Sequence, residues 1–82
     1  MRERIDLAIA RVRVPVKRLR TLDPAKVESL AEDMLENGQT TPIQVRSDKE
    51  DFVLIEGLHR LEALKALGED TVAGYLVQAR PR

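Results

Sequence analysis

Across a single glycine the spacing of apolar residues changes from that of a strand to that of a helix, and this change restricts the fold more than any other feature. Phe52, Val53, Leu54 and Ile55 form a continuous run of β-favouring residues, whereas Leu61, Leu64 and Leu67 recur at helical spacing beyond Gly57. The stretch predicts a buried strand running straight into a helix, with His59 and Arg60 in the first helical turn. No Ser, Thr, Asp or Asn stands at the junction, so the first backbone N–H groups of the helix lack a side-chain acceptor. A bound anion would serve, because free N–H groups and the helix dipole both attract negative charge. Arg60 and a donor-capable His59 would strengthen that pull. The competing reading is ordinary turn punctuation by glycine, followed by a solvated His-Arg pair.

The remaining segments place this unit in a small domain. Arg11-Val12-Arg13-Val14 alternates and reads as a half-buried strand ended by Pro15, after a charged and frayed start. Val16 to Leu22 reads as a connector. Asp23-Pro24 announces a helix, since Asp is a favoured N-cap and Pro fits the first helical position; Gly38 should stop it after Asn37. On that helix Val27, Leu30, Ala31 and Met34 share the core-facing stripe, and Lys26, Ser29 and Asp33 share another. A Lys beside a hydroxyl near a helix start suits phosphate oxygens, although a solvent face carries the same residue types by default. Ile43 to Arg46 and the Phe52 strand read as a hairpin whose loop, Ser47 to Asp51, is longer than the tightest type. Gly68 is expected to end the second helix, and Thr71 to Gln78 to form a last strand. The order is β-α-β-β-α-β, with strands too few and short for a doubly wound sheet. The expectation is a compact α+β fold, one domain over residues 1–82 with 1–8 and 79–82 frayed.

Composition excludes several function classes. Eighty-two residues supply one domain with room for one site. Without cysteine there is no disulfide framework or thiol nucleophile, and a single histidine makes a structural zinc site improbable. One Tyr and one Phe leave little for stacking bases. Fourteen basic and fourteen acidic residues cancel, but residues 1–20 hold seven basic and two acidic ones, while 21–56 hold three and nine. The basic arm suits a polyanion or internal charge pairing, the second being the simpler reading. No run is long enough to span a membrane and no signal-peptide pattern follows the Arg-rich start, so a cytoplasmic location is expected.

Four segments in order resemble the ParB/sulfiredoxin superfamily: Leu22-Asp23-Pro24-Ala25-Lys26-Val27-Glu28-Ser29-Leu30, Pro42-Ile43-Gln44-Val45, Gly57-Leu58-His59-Arg60-Leu61-Glu62-Ala63, and Leu67-Gly68-Glu69-Asp70-Thr71-Val72. The resemblance spans Val12 to Gln78. Sulfiredoxins carry a Gly-Cys-His-Arg signature, whose Cys reduces an over-oxidised peroxiredoxin and whose His-Arg pair holds ATP phosphates. Gly57, His59 and Arg60 match it, but Leu58 stands where the Cys belongs, so the family's reductase chemistry is not available. Lys26 and Ser29 match residues lining the same pocket. Asp33 falls where a small hydroxyl residue would be expected. The chain also resembles the partition-protein branch, with its Gly-Glu-Arg-Arg box that binds and hydrolyses a cytidine nucleotide; Gly57 and Arg60 fit that box, Leu58 and His59 do not.

The resemblance implies a nucleotide-binding domain for ATP, ADP or CTP, with magnesium as a further candidate. Lys26, Ser29, Gly57, Leu58, His59 and Arg60 would hold the ligand. Other superfamily members are small-molecule kinases, so hydrolase or phosphotransferase activity is open, with Glu56 and Asp33 as candidate bases. Two readings stand beside it. One is a DNA-associated partition or regulatory protein using the basic arm, against which weighs that the sequence ends before the helix-turn-helix such proteins carry. The other is a non-catalytic module that binds a ligand or a protein partner, which Leu58 in a reactive position favours.

Overall fold

The computed structural model describes residues 3–77. Five strands form one mixed sheet in the order β1-β5-β3-β4-β2: β1 (Arg4–Ala8), β2 (Val12–Arg13), β3 (Ile43–Asp48), β4 (Asp51–Glu56) and β5 (Thr71–Leu76). β1 runs antiparallel to β5, β5 parallel to β3, β3 antiparallel to β4, and β4 parallel to β2. Three helices complete the domain: α1 (Val16–Leu19), α2 (Pro24–Asn37) and α3 (Leu58–Ala66). α2 packs on α3, and α3 lies against β3. The fold is α+β.

The core forms where the two periodicities meet. Ile43, Val45 and Leu54 from the central strands, Val72 from β5 and Leu61 from α3 are almost wholly removed from water, with Leu58 and Leu64 beside them. Each such side chain contributes about 1.5–3 kcal/mol relative to exposure. α2 presents Met34 as its buried residue, and Val27, Leu30 and Ala31 pack on the core from half-buried positions. Its boundaries are those expected: the Asp23 carboxylate accepts from the Ala25 N–H, Pro24 opens the helix, and Gly38 closes it at φ 72°.

Four expectations are corrected. Arg4 to Ala8 are not frayed but form the edge strand β1, paired from Arg4 opposite Tyr75 to Ala8 opposite Thr71. The strand after it is two residues long, because a 3₁₀ turn over Ile9–Arg11 takes up Arg11 and only Val12 and Arg13 pair with β4. The connector contains a helical turn, α1. The β3–β4 hairpin closes tightly, with Asp48 opposite Asp51 and Lys49 at φ 60°, a conformation that matches the twist of the flanking strands. Residues 79–82 lie outside the described residues.

Beyond α2, the Gln39 side chain continues the strand pairing of β5. Its amide oxygen accepts from the Ala73 N–H at 2.8 Å, and its amide nitrogen donates to the Ala73 and Thr41 carbonyls at 3.0 Å each.

Candidate functional site

The β4–α3 junction is built as its sequence requires. Gly57 takes φ 110°, and a Cβ placed on it would lie 2.6 Å from Ile43 Cγ2. Both the backbone angle and the approach of β3 therefore demand glycine. The first intrahelical bond runs from the Leu61 N–H to the Gly57 carbonyl. No side chain caps the helix, so the N–H groups of Leu58, His59 and Arg60 have no partner within it. Leu58 is 5% exposed and anchors this first turn in the core.

The residues of this turn line a cleft of about 480 Å³, together with Arg18, Thr21, Lys26, Leu30, Glu56 and Gly57. Six residues singled out from the sequence thus share one cavity: Lys26, Glu56, Gly57, Leu58, His59 and Arg60. His59 and Arg60 are half-buried, and neither forms an ion pair among the described residues. His59 is held from the opposite wall, since the Asp23 N–H donates to its Nε2 at 3.0 Å. That acceptor role assigns the ring proton to Nδ1, which makes Nδ1 the nitrogen able to donate.

Two candidates stand apart from this lining. Ser29 is exposed and borders a separate shallow groove with Ala25, Lys26 and Leu30. Asp33 is exposed and accepts from the Asn37 side-chain amide at 2.9 Å. The geometry of α2 separates the stripe: seven residues at a rise of about 1.5 Å carry Asp33 roughly 10 Å along the axis from Lys26, and three residues rotate Ser29 by about 60°. Among the described residues no three His, Asp or Glu side chains converge as metal ligands, and no helix is long and apolar enough to cross a membrane.

Arg18 and Thr21 belong to the cleft but were read from sequence as connector. Arg18 Nη2 donates to the Ile55 carbonyl, tying α1 to the end of β4. The available signal was Pro15 followed by Val16 and Leu19 at i, i+3, which marks a short helical turn. Elsewhere in the basic arm, Arg11 lies 3.7 Å from Asp51 and Arg13 3.7 Å from Asp48, and Arg11 also stacks over Phe52. Part of the arm is therefore neutralised internally.

An α+β domain with a cationic, amide-lined cleft at a strand-to-helix turn is the class defined by this fold and site. The sequence profile of the ParB N-terminal domain matches residues 2–81, and the chain belongs to that family. Among solved structures it is similar to sulfiredoxin from Arabidopsis thaliana, with TM-score 0.84, 27% identity, and coverage of 94% of this chain and 86% of that one. It is similar in fold to the C-terminally truncated chromosome-partitioning protein ParB from Caulobacter crescentus complexed with CTP-gamma-S, with TM-score 0.78 and 20% identity over 98% of this chain but 46% of that one. A free serine kinase mutant in complex with ADP shares the fold at TM-score 0.77 and 14% identity, over 90% of this chain and 30% of that one. This chain therefore spans less than half of those two larger proteins. A search of curated protein sequences finds no match.

Proposed function

We propose that this domain binds a nucleotide, ATP, ADP or CTP, through its phosphates at the start of α3. The observation that carries the reading is the uncapped first turn of a helix whose residues Leu58, His59 and Arg60 line the same cleft as Lys26. In this reading the Leu58, His59 and Arg60 N–H groups and the Arg60 guanidinium hold phosphate oxygens, His59 donates from Nδ1, and Lys26 closes the opposite side. Ser29 adds a hydroxyl only if a ligand extends over the Lys26 edge into the neighbouring groove. Support also comes from the similar structures, in which CTP-gamma-S and ADP are bound by a partition protein and a serine kinase.

For turnover, Glu56 is the carboxylate in the cleft lining, and it suits either proton abstraction from a nucleophile or a magnesium ion bridging to phosphates. Asp33 is the weaker candidate because of its distance along α2. Titration calorimetry with ATP, ADP and CTP, each with and without magnesium, tests the reading. Binding in the millimolar range or tighter is expected, with affinity lowered about 10- to 100-fold by Arg60→Ala, the loss of a charge-assisted hydrogen bond. Absence of heat or saturation with every nucleotide would overturn it. Phosphate release measured on the wild type and on Glu56→Gln then separates a hydrolase from a binding module.

A further inference from the structure

We propose that Arg18 is a further ligand-contacting residue, whose guanidinium leaves the Ile55 carbonyl for a phosphate oxygen when a nucleotide enters the cleft. The inference rests on the nucleotide reading above and adds a residue from α1, an element that reading does not use. Arg18 is half-buried and lines the cleft together with Lys26, His59 and Arg60. Its recorded acceptor is one neutral carbonyl, that of Ile55, two residues before Gly57. A guanidinium carries five N–H donors, and among the described residues no carboxylate lies within ion-pair distance of Arg18.

The contrast with the other arginines of the same arm is informative. Arg11 and Arg13, on the outer strand side, each face an aspartate of the β3–β4 hairpin. The cleft cations Arg18, Lys26 and Arg60 have no such neighbour among the described residues, although acidic residues are abundant nearby in the chain. Arg18 and Arg60 are half-buried, and the one carboxylate of the cleft lining, Glu56, is exposed and ion-paired with neither, so an entering anion would supply the charged acceptor that they lack. A phosphate oxygen is also the better acceptor for Arg18, since hydrogen bonds between charged partners are roughly twice as strong as those to a neutral carbonyl. α1 can supply the movement: none of its residues is buried, and Val16 and Leu19 are exposed.

The test is titration of ATP into the wild type, Arg18→Ala, Arg18→Gln and Arg18→Lys, repeated across salt concentrations. Arg18→Gln retains a neutral donor for the Ile55 carbonyl, so it keeps the tether without the charge and stands in should Arg18→Ala fail to fold. We expect Arg18→Ala and Arg18→Gln to weaken ATP binding about tenfold or more and to flatten its salt dependence, a readout that loss of a structural tether would not move. Arg18→Lys should recover part of the affinity, as a point charge without the fork. ATP affinity and salt dependence in Arg18→Gln within twofold of wild type would overturn this inference while leaving the nucleotide reading intact. Failure of the wild type to bind any nucleotide would overturn both.

Discussion

Two helices of this domain begin on facing walls of one cleft, and they are finished in opposite ways. α2 is closed by its own sequence: the Asp23 side chain takes the Ala25 amide, Pro24 removes a donor, and the Asp23 amide is taken by His59. α3 begins on a left-handed glycine with no side-chain cap and three amides left over. The difference shows that, of the two, only α3 has free amides to offer the proposed ligand, while the closed end of α2 positions the histidine beside them.

The most damaging way to break the comparison is to fill the junction. Gly57→Val forces a side chain into the space of Ile43 at a positive φ, and urea denaturation should show a loss of about 3 kcal/mol or more, from strain and overpacking together. Next in size, His59→Ala leaves the Asp23 N–H without its acceptor and removes a ligand donor. Nucleotide affinity should fall about tenfold, whereas thermal unfolding should show a loss of about 1 kcal/mol. Asp23→Ala attacks the closed end: a loss of about 1 kcal/mol in unfolding free energy is expected, with nucleotide affinity changing less than it does for His59→Ala. An equal affinity loss in both variants would mean that the two helix starts act as one unit. Smallest of all, Asp33→Ala should leave both stability and nucleotide turnover unchanged to within about 0.5 kcal/mol; a large drop in turnover would return Asp33 to the mechanism.

What could be read from the residues, and what could not, follows the range of the interactions. α2 was legible to the residue because its punctuation is local: Asp23-Pro24 at one end, Gly38 at the other, and an apolar stripe between. The β4–α3 junction was legible for the same reason, as a change of period across Gly57. β1 was not, since Arg4-Ile5-Asp6-Leu7-Ala8 acquires strand character only by pairing with β5, more than sixty residues away. The parallel pairing of Val12 and Arg13 with β4 is equally invisible to local pattern. In the site, Lys26, His59 and Arg60 share one cleft as the resemblance implied, with Glu56, Gly57 and Leu58 beside them, whereas Ser29, which the resemblance placed there too, borders a separate groove. Arg18 escaped because a four-residue helix leaves almost no periodic trace, and the stripe that grouped Ser29 and Asp33 with Lys26 does not show the rotation that turns Ser29 toward a neighbouring groove or the axial distance that carries Asp33 away.

The Gln39 bonds to Ala73 carry one more consequence. α2 is fastened at both extremities, to α3 through Asp23 and His59 and to the sheet through the residue that follows Gly38. These bonds oppose a lengthwise, piston-like slide of α2 beside Lys26. In the proposal above, adjustment falls to α1 across the opening, which has no buried residue and is tied to β4 through Arg18, so that the thinnest element of the molecule, rather than its longest helix, would give way.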